Sequence, residues 1–204
     1  MHGPGGPRHV VYLPGTDDML TTPARRDADV RDLPTNLVAL GGASTTYAEG
    51  ILTAMTEAGI GPGEPVALVG HSQGGIMAAW LATHPHAFEI GAVVTAGSPI
   101  GGNGDYPAGT HVLSLENRGD LVPLTDGEAN RDAGNHVTVT FDDRGADLVD
   151  SHDLAHYVTG AGAVDASEHP SLVTELARLR THGFLGAGDE DTTSRIFQVT
   201  REPG

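Results

Sequence analysis

The feature that most constrains this chain is an apolar run that ends in glycines around a serine and continues directly as a second apolar run. Residues 68–82 read LVGHSQGGIMAAWLA. The first part predicts a strand and the second part a helix. A sharp turn from strand to helix strains the residue at its centre, and Gly70 and Gly74 remove side chains that would clash there. We therefore predict that Ser72 projects its hydroxyl above a strand end, at a helix N-terminus that favours negative charge.

Strand-like and helix-like segments alternate along the rest of the chain. Apolar runs predict strands over residues 9–15, 65–70, 90–97, 110–116 and 136–141, and an alternating run predicts an edge strand over 195–201. Spacing and end signals predict helices over residues 44–59, 74–84, 152–160 and 170–183. Nearly continuous apolar strands between helices indicate an α/β fold, a mostly parallel sheet with helices on both faces.

The length of 204 residues fits one α/β domain over residues 1–204. The Gly/Pro-rich residues 1–7 are interpreted as a flexible tail. A signal peptide has an apolar core behind a basic end, and the start of this sequence has none. No apolar run reaches the ~18 residues of a membrane span. We expect no stable membrane insertion, and the sequence leaves the choice between a cytoplasmic and a secreted protein open.

The charge and the absence of cysteine exclude several classes of function. The net charge is −16, which disfavours nucleic acid or an anionic membrane as the main partner. With no cysteine there is no disulfide framework, no thiolate zinc site and no cysteine nucleophile. We interpret His84 and His86, which flank Pro85, as solvated side chains and not as metal ligands. We expect neither a cofactor nor a metal.

The segment from Gly70 to Gly74 fits G-x-S-x-G in a strand–turn–helix context. At these residues the chain resembles the α/β-hydrolase superfamily, whose lipase and esterase members typically carry GHSQGG. The resemblance covers nearly the whole chain in element order. It implies a three-layer α/β sandwich without a large cap domain, because residues 98–110 leave little room for one. It also implies the chain order nucleophile, acid, histidine, with Ser72 as the nucleophile.

The acid is expected in a loop after a late strand. The sequence GDLVP in residues 119–123 is similar to the acid loop of the family and points to Asp120, which would orient the histidine. Glu116 and Asp126 are rivals on the same stretch.

The histidine is expected just ahead of the last helical part. The stretch SHDLAHY is similar to that arrangement and points to His152 as the base, with Asp153 as a helix cap. His156 lies one turn inside the predicted helix and is the rival. His71 is interpreted as the usual residue before the serine, without a role of its own.

Two backbone N–H groups are expected to form an oxyanion hole. One belongs to Gln73, the residue after the nucleophile, and the other to Thr16, in the loop after the first strand. Asp17 and Asp18 beside it would oppose negative charge unless they point away or are paired, for example with Arg25, Arg26 or Arg31. The apolar side chains of the long loop over residues 16–43 suggest a cover over the site, and an ordinary surface loop is an equal interpretation.

The resemblance implies a serine hydrolase that cleaves small-molecule carboxylic esters through an acyl-enzyme on Ser72. A thioesterase or acyltransferase with the same three residues is an alternative, which the acidic charge disfavours if the acyl carrier is an acidic protein. A hydrolase fold without activity that serves as a binding module is a third. The sequence does not indicate the natural acyl chain or the oligomeric state.

Overall fold

A computed structural model describes residues 2–3, 6–16, 46–131, 133–147, 149–186 and 191–200. Its centre is a five-stranded sheet in which every neighbouring pair is parallel. The strands are β1 (His9–Leu13), β2 (Pro65–His71), β3 (Glu89–Ala96), β4 (His111–Asn117) and β5 (His136–Phe141), and they lie side by side in chain order. The helices are α1 (Thr46–Glu57), α2 (Gln73–Thr83), α3 (Leu154–Asp165) and α4 (Pro170–Thr181). Residues His2–Gly3 and Gly6–Pro7 form a short antiparallel pair.

The helices cover both faces of the sheet because its central strands are apolar on both sides. Val112 of β4 belongs to the core under α1 and α2, whereas Leu113 and Leu115 belong to the core under α3 and α4. These alternate side chains point to opposite faces, as the twofold period of a strand requires. The result is the predicted three-layer α/β sandwich, and this prediction is confirmed.

The two helices under the first face differ in how deeply they are buried. α1 buries a stripe that includes Ile51 and Met55, and Gly59 ends it in a left-handed conformation with φ +82°. α2 is buried along nearly its whole length, from Gln73 to Ala82. A helix that is apolar on all sides belongs inside a domain, so α2 anchors the turn at Ser72, the residue before it, to the core.

The end of α2 corrects one interpretation from the sequence. The Nδ1 atom of His84 lies 2.8 Å from the Trp80 carbonyl, and the Nε2 atom of His86 lies 2.8 Å from the Leu81 carbonyl. The His84 ring also stacks on Trp80 with 4.0 Å between ring centroids. These histidines contact carbonyls of the last turn of α2 and are not merely solvated side chains.

The five predicted sheet strands are confirmed to within two residues at their ends, and so are the four helices, except that α3 ends at Asp165, five residues beyond its predicted end. The predicted edge strand over residues 195–201 is wrong. Within residues 191–200 only Thr200 has a β-bridge. Instead Val199 packs against Gly50 of α1, and Arg195 donates to the carbonyls of Glu57 and Ala58. Of the apolar residues in this stretch, Val199 packs on the helix, whereas Ile196 and Phe197 are exposed.

Most of the loop over residues 16–43 lies outside the described residues, and so do Asp17, Asp18 and the three arginines proposed to pair with them. The 97–110 connection from β3 to β4 contains turns and no helix, so no cap is inserted there. In the described ranges, no helix is long and apolar enough to cross a membrane.

Candidate active site

Ser72 stands at the junction of β2 and α2 in an unusual backbone conformation. Its φ is 53° and its ψ −122°, and no other non-glycine residue in the described part of the chain has a positive φ. Such a conformation costs on the order of 1–3 kcal/mol and persists only where the surroundings enforce it. A Cβ on Gly74 would overlap the Leu13 carbonyl oxygen. The glycine pattern is therefore a steric requirement of this turn.

The surroundings of Ser72 bring the carboxyl ends of three strands together. The Ser72 N–H donates to the Ala96 carbonyl at the end of β3, at 2.9 Å. A Cβ on Gly15, in the loop after β1, would lie 3.1 Å from the Ser72 Cβ. Thr16 follows in the same loop, and Gln73 opens α2. Both predicted oxyanion donors therefore belong to segments that border the serine, and their role stays a prediction.

One imidazole links Ser72 to a carboxylate. The Nε2 atom of His152 lies 2.9 Å from Ser72 Oγ, and its Nδ1 atom lies 2.6 Å from Asp120 Oδ2. An ionised carboxylate only accepts hydrogen bonds, so Nδ1 carries the proton and Nε2 is free to accept the serine hydroxyl. This tautomer is the one that can take a proton from the serine.

Asp120 is a buried carboxylate with three hydrogen bonds. The residue is 3% exposed. Its Oδ2 accepts from His152 and from the Tyr157 hydroxyl, each at 2.6 Å, and its Oδ1 accepts from the Val122 N–H at 2.8 Å. Burial by itself would raise the pKa of Asp120, but these hydrogen bonds outweigh it and hold the pKa below its ordinary value. Asp120 is therefore ionised at neutral pH.

Asn117 ties the loop that carries Asp120 to the segment that carries His152. Its Nδ2 donates to the carbonyls of Asp143 and Ser151, at 2.6 and 3.1 Å. Its Oδ1 accepts from the N–H groups of Gly119 and Asp143, at 3.3 and 3.1 Å. With both polar atoms doubly bonded and 2% of its surface exposed, this side chain fixes the distance between the two segments.

His71 has a structural role that its place before the serine did not indicate. Its Nε2 lies 3.0 Å from the His152 carbonyl, and because a carbonyl only accepts, Nε2 donates. Its ring packs on the His152 ring with 4.7 Å between centroids. Burial lowers the pKa of His71, and a charged His152 lowers it further. The interpretation of His71 as a residue without a role is wrong, because a neutral His71 holds the backbone of His152.

The rivals for the acid and the base lie elsewhere. The Oε1 atom of Glu116 accepts from Asn130 at 2.6 Å, and burial, with Asp126 nearby, raises the pKa of Glu116. Asp126 accepts from the backbone of residues 102 and 128. The Nδ1 atom of His156 lies 3.1 Å from Asp143 Oδ2. In the described structure these three side chains have other partners than Ser72, whereas hydrogen bonds connect Asp120 to His152 and His152 to Ser72.

Asp153 caps α3 as predicted. Its Oδ1 accepts from the Ala155 N–H at 2.8 Å, which satisfies one of the free donors of the first turn. The cap begins the helix directly after His152, so the imidazole stands at a helix entrance instead of inside the helix. This placement leaves it free to reach over the sheet edge.

Tyr157, like Asn117, is a site residue that the sequence analysis missed. It is 2% exposed, and its hydroxyl oxygen accepts from the Asn117 N–H at 3.4 Å while donating to Asp120. A Cβ on Gly97, whose φ is +60°, would approach that hydroxyl to 2.8 Å and Asp120 Oδ2 to 3.0 Å. The one signal available was an aromatic residue one turn inside the helix after His152.

Among the residues that the structure describes, no three His, Cys, Asp or Glu side chains lie close enough together to bind a metal ion. The arrangement of Ser72, His152 and Asp120 can deprotonate a serine hydroxyl without a metal, because the imidazole accepts the proton and the carboxylate stabilises the imidazolium. The catalytic roles of the three residues stay predictions.

Comparisons with known proteins give weak likenesses. No family model matches the sequence, and no match is found among curated proteins. Among solved structures, a YdeN-like hydrolase of Pectobacterium atrosepticum is 14% identical, with a TM-score of 0.34, 65% of this chain covered and 77% of that chain. A puromycin-hydrolysing peptidase of Mycobacterium tuberculosis is 15% identical, with a TM-score of 0.42, 89% of this chain covered but 35% of that chain. This chain thus spans about a third of the peptidase's length.

Proposed function

We propose that this protein is a serine hydrolase that cleaves small-molecule carboxylic esters through an acyl-enzyme on Ser72. The observation that carries the proposal is a continuous series of two hydrogen bonds. One joins Ser72 Oγ to His152 Nε2, at 2.9 Å, and the other joins His152 Nδ1 to Asp120 Oδ2, at 2.6 Å. The series starts at a serine held with φ 53° at the start of a buried helix. A strained backbone at Ser72, where this series of hydrogen bonds begins, favours a catalytic role for the serine over a packing role.

The proposed reaction has two halves. In the first, His152 takes the hydroxyl proton while Ser72 Oγ bonds to the ester carbonyl carbon, and the C–O bond to the alcohol then breaks as His152 returns the proton to that oxygen. In the second, His152 takes a proton from water, whose oxygen attacks the acyl-enzyme, and the proton returns to Ser72 as the acid leaves. Asp120 stays ionised throughout and stabilises the imidazolium.

The carbonyl oxygen becomes negative in each half and needs donors. We assign this role to the backbone N–H groups of Gln73 and Thr16. The first turn of α2 supports the assignment, because the N–H groups of a helix N-terminus point along the helix axis and favour negative charge beside them. Gly15 supports it too, because its approach to Ser72 brings the loop that carries Thr16 to the serine. Backbone donors of this kind contribute about 10²–10³-fold in turnover.

Nitrophenyl esters and acyl thioesters with the same acyl groups test the reaction class. We expect turnover of the esters, faster than that of the matched thioesters, with the Ser72→Ala variant as the background. A faster reaction with thioesters would favour the thioesterase alternative. No turnover of either, together with no labelling by a fluorophosphonate, would leave the hydrolase-like binding module as the better description.

Asp120→Asn tests the role of the carboxylate. Because the pKa of Asp120 lies below its ordinary value, the rise of activity with pH reports the imidazole, which is active only when neutral. Turnover of a small ester should fall by about 10⁴-fold, because an amide can hold the wrong tautomer. The midpoint of the remaining activity should move to lower pH, since the imidazolium loses its charged partner.

Glu116→Gln is the matched control, because it neutralises a half-buried carboxylate on β4 without touching His152. It should change neither turnover nor the midpoint. If Glu116→Gln is the inactive variant and Asp120→Asn behaves like the parent protein, the acid has been assigned wrongly.

A further inference from the structure

Tyr157 occupies a position that the proposed reaction does not require. Its hydroxyl and the Nδ1 atom of His152 both lie 2.6 Å from the same oxygen, Oδ2 of Asp120, while Val122 N–H occupies the other oxygen at 2.8 Å. Hydrogen bonds to an ionised acceptor are short and strong. Two strong donors therefore compete for the negative charge of one carboxylate oxygen.

We infer that Tyr157 is a positioning residue that limits how strongly the Asp120 carboxylate holds the proton of His152. This inference rests on the proposed function. A second donor at Oδ2 stabilises the negative charge without the imidazolium, so less of that charge remains to favour the protonated imidazole.

Packing and hydrogen bonds hold the Tyr157 phenol in the position from which it donates to Asp120 Oδ2. Its ring meets Phe141 edge-on, with 5.5 Å between centroids, and lies 5.6 Å from the His71 ring. Its oxygen accepts from the Asn117 N–H and lies so close to Gly97 that a Cβ at that position would come within 2.8 Å of it. Burial, together with the Asp120 charge, raises the pKa of Tyr157, so the phenol keeps its proton.

Other charged or titratable groups approach this pair from neighbouring elements. His71 packs on the Tyr157 ring, and Glu116 of β4 acts on Tyr157 through its charge. Arg144 lies beside Gly119, the residue before Asp120, and Asp153 at the start of α3 acts on His71. None of them hydrogen-bonds Asp120 Oδ2 in the described structure. Removing one hydroxyl from Tyr157 leaves all four in place, so its effect can be separated from theirs.

Tyr157→Phe should move the midpoint of the pH–activity profile to higher pH, with KM unchanged. The direction is opposite to that expected for Asp120→Asn. Tyr106→Phe is the control: it removes another tyrosine hydroxyl, also buried, that makes no hydrogen bond within the described ranges. It should leave the midpoint in place. A shift that Tyr106→Phe reproduces would overturn the inference.

Replacing Tyr157 by 3,5-difluorotyrosine keeps the side chain's shape and makes the hydroxyl a stronger donor, so it guards against a folding defect in Tyr157→Phe. The midpoint should then move to lower pH. The His152 imidazole can also be titrated by NMR, which needs no turnover and so tests the inference even if the chain hydrolyses no ester. Equal midpoints in the parent protein, in Tyr157→Phe and in the 3,5-difluorotyrosine variant would show that the Tyr157 side chain contributes packing alone, and would overturn the inference.

Discussion

Ser72→Ala is expected to lower ester turnover by about 10⁶-fold, the scale on which removal of a serine nucleophile acts. The hydroxyl is the only group of this residue that meets His152, so its loss removes the bond-forming atom and leaves the imidazole in place. The variant should fold, because alanine removes a single atom and the turn is enforced by the glycines around it. Initial rates with a nitrophenyl ester, against heat-inactivated protein, measure the effect.

Ser98→Ala is a suitable control, because Ser98 is a buried serine beside Gly75 whose hydroxyl donates to the Ala96 carbonyl and not to His152. It should keep most of the turnover. A Ser72→Ala variant as active as Ser98→Ala would mean that the reaction uses another nucleophile.

His152→Ala is expected to lower turnover to a similar extent, since serine and histidine act as one unit and removing either costs about as much as removing both. His156→Ala should keep most of the activity, because His156 faces Asp143 and Asp150 at the surface of the segment. The two variants, measured on the same ester, decide which histidine is the base. An inactive His156→Ala beside an active His152→Ala would reverse the assignment.

The sheet, the sharp turn at Ser72 and the chain order of the polar residues could be predicted because they leave local patterns. A strand buried on both faces is a continuous apolar run, and a turn as sharp as the one at Ser72 needs small neighbours. Asp120 and His152 follow strand ends or precede a helix, and the parallel sheet brings such positions to one edge. The family resemblance then indicated which of them to choose.

The network around these residues could not be predicted, because it depends on contacts between segments far apart in the chain. Asn117 joins positions 26 and 34 residues away, and Tyr157 reaches Asp120 across 37 residues. No spacing rule indicates such pairs. The edge strand predicted over 195–201 was wrong for the same reason: its alternation fits a strand, but Val199 is used to pack on α1.

The central claim is that Ser72 forms a covalent bond with the substrate, and the most direct measurement is intact-protein mass spectrometry after reaction with a fluorophosphonate. The account predicts one added phosphonyl group per chain, located by peptide mapping on Ser72, absent from Ser72→Ala and formed far more slowly by His152→Ala. An adduct that persists in Ser72→Ala, or a parent protein that gains no mass under conditions where it turns over esters, would contradict it.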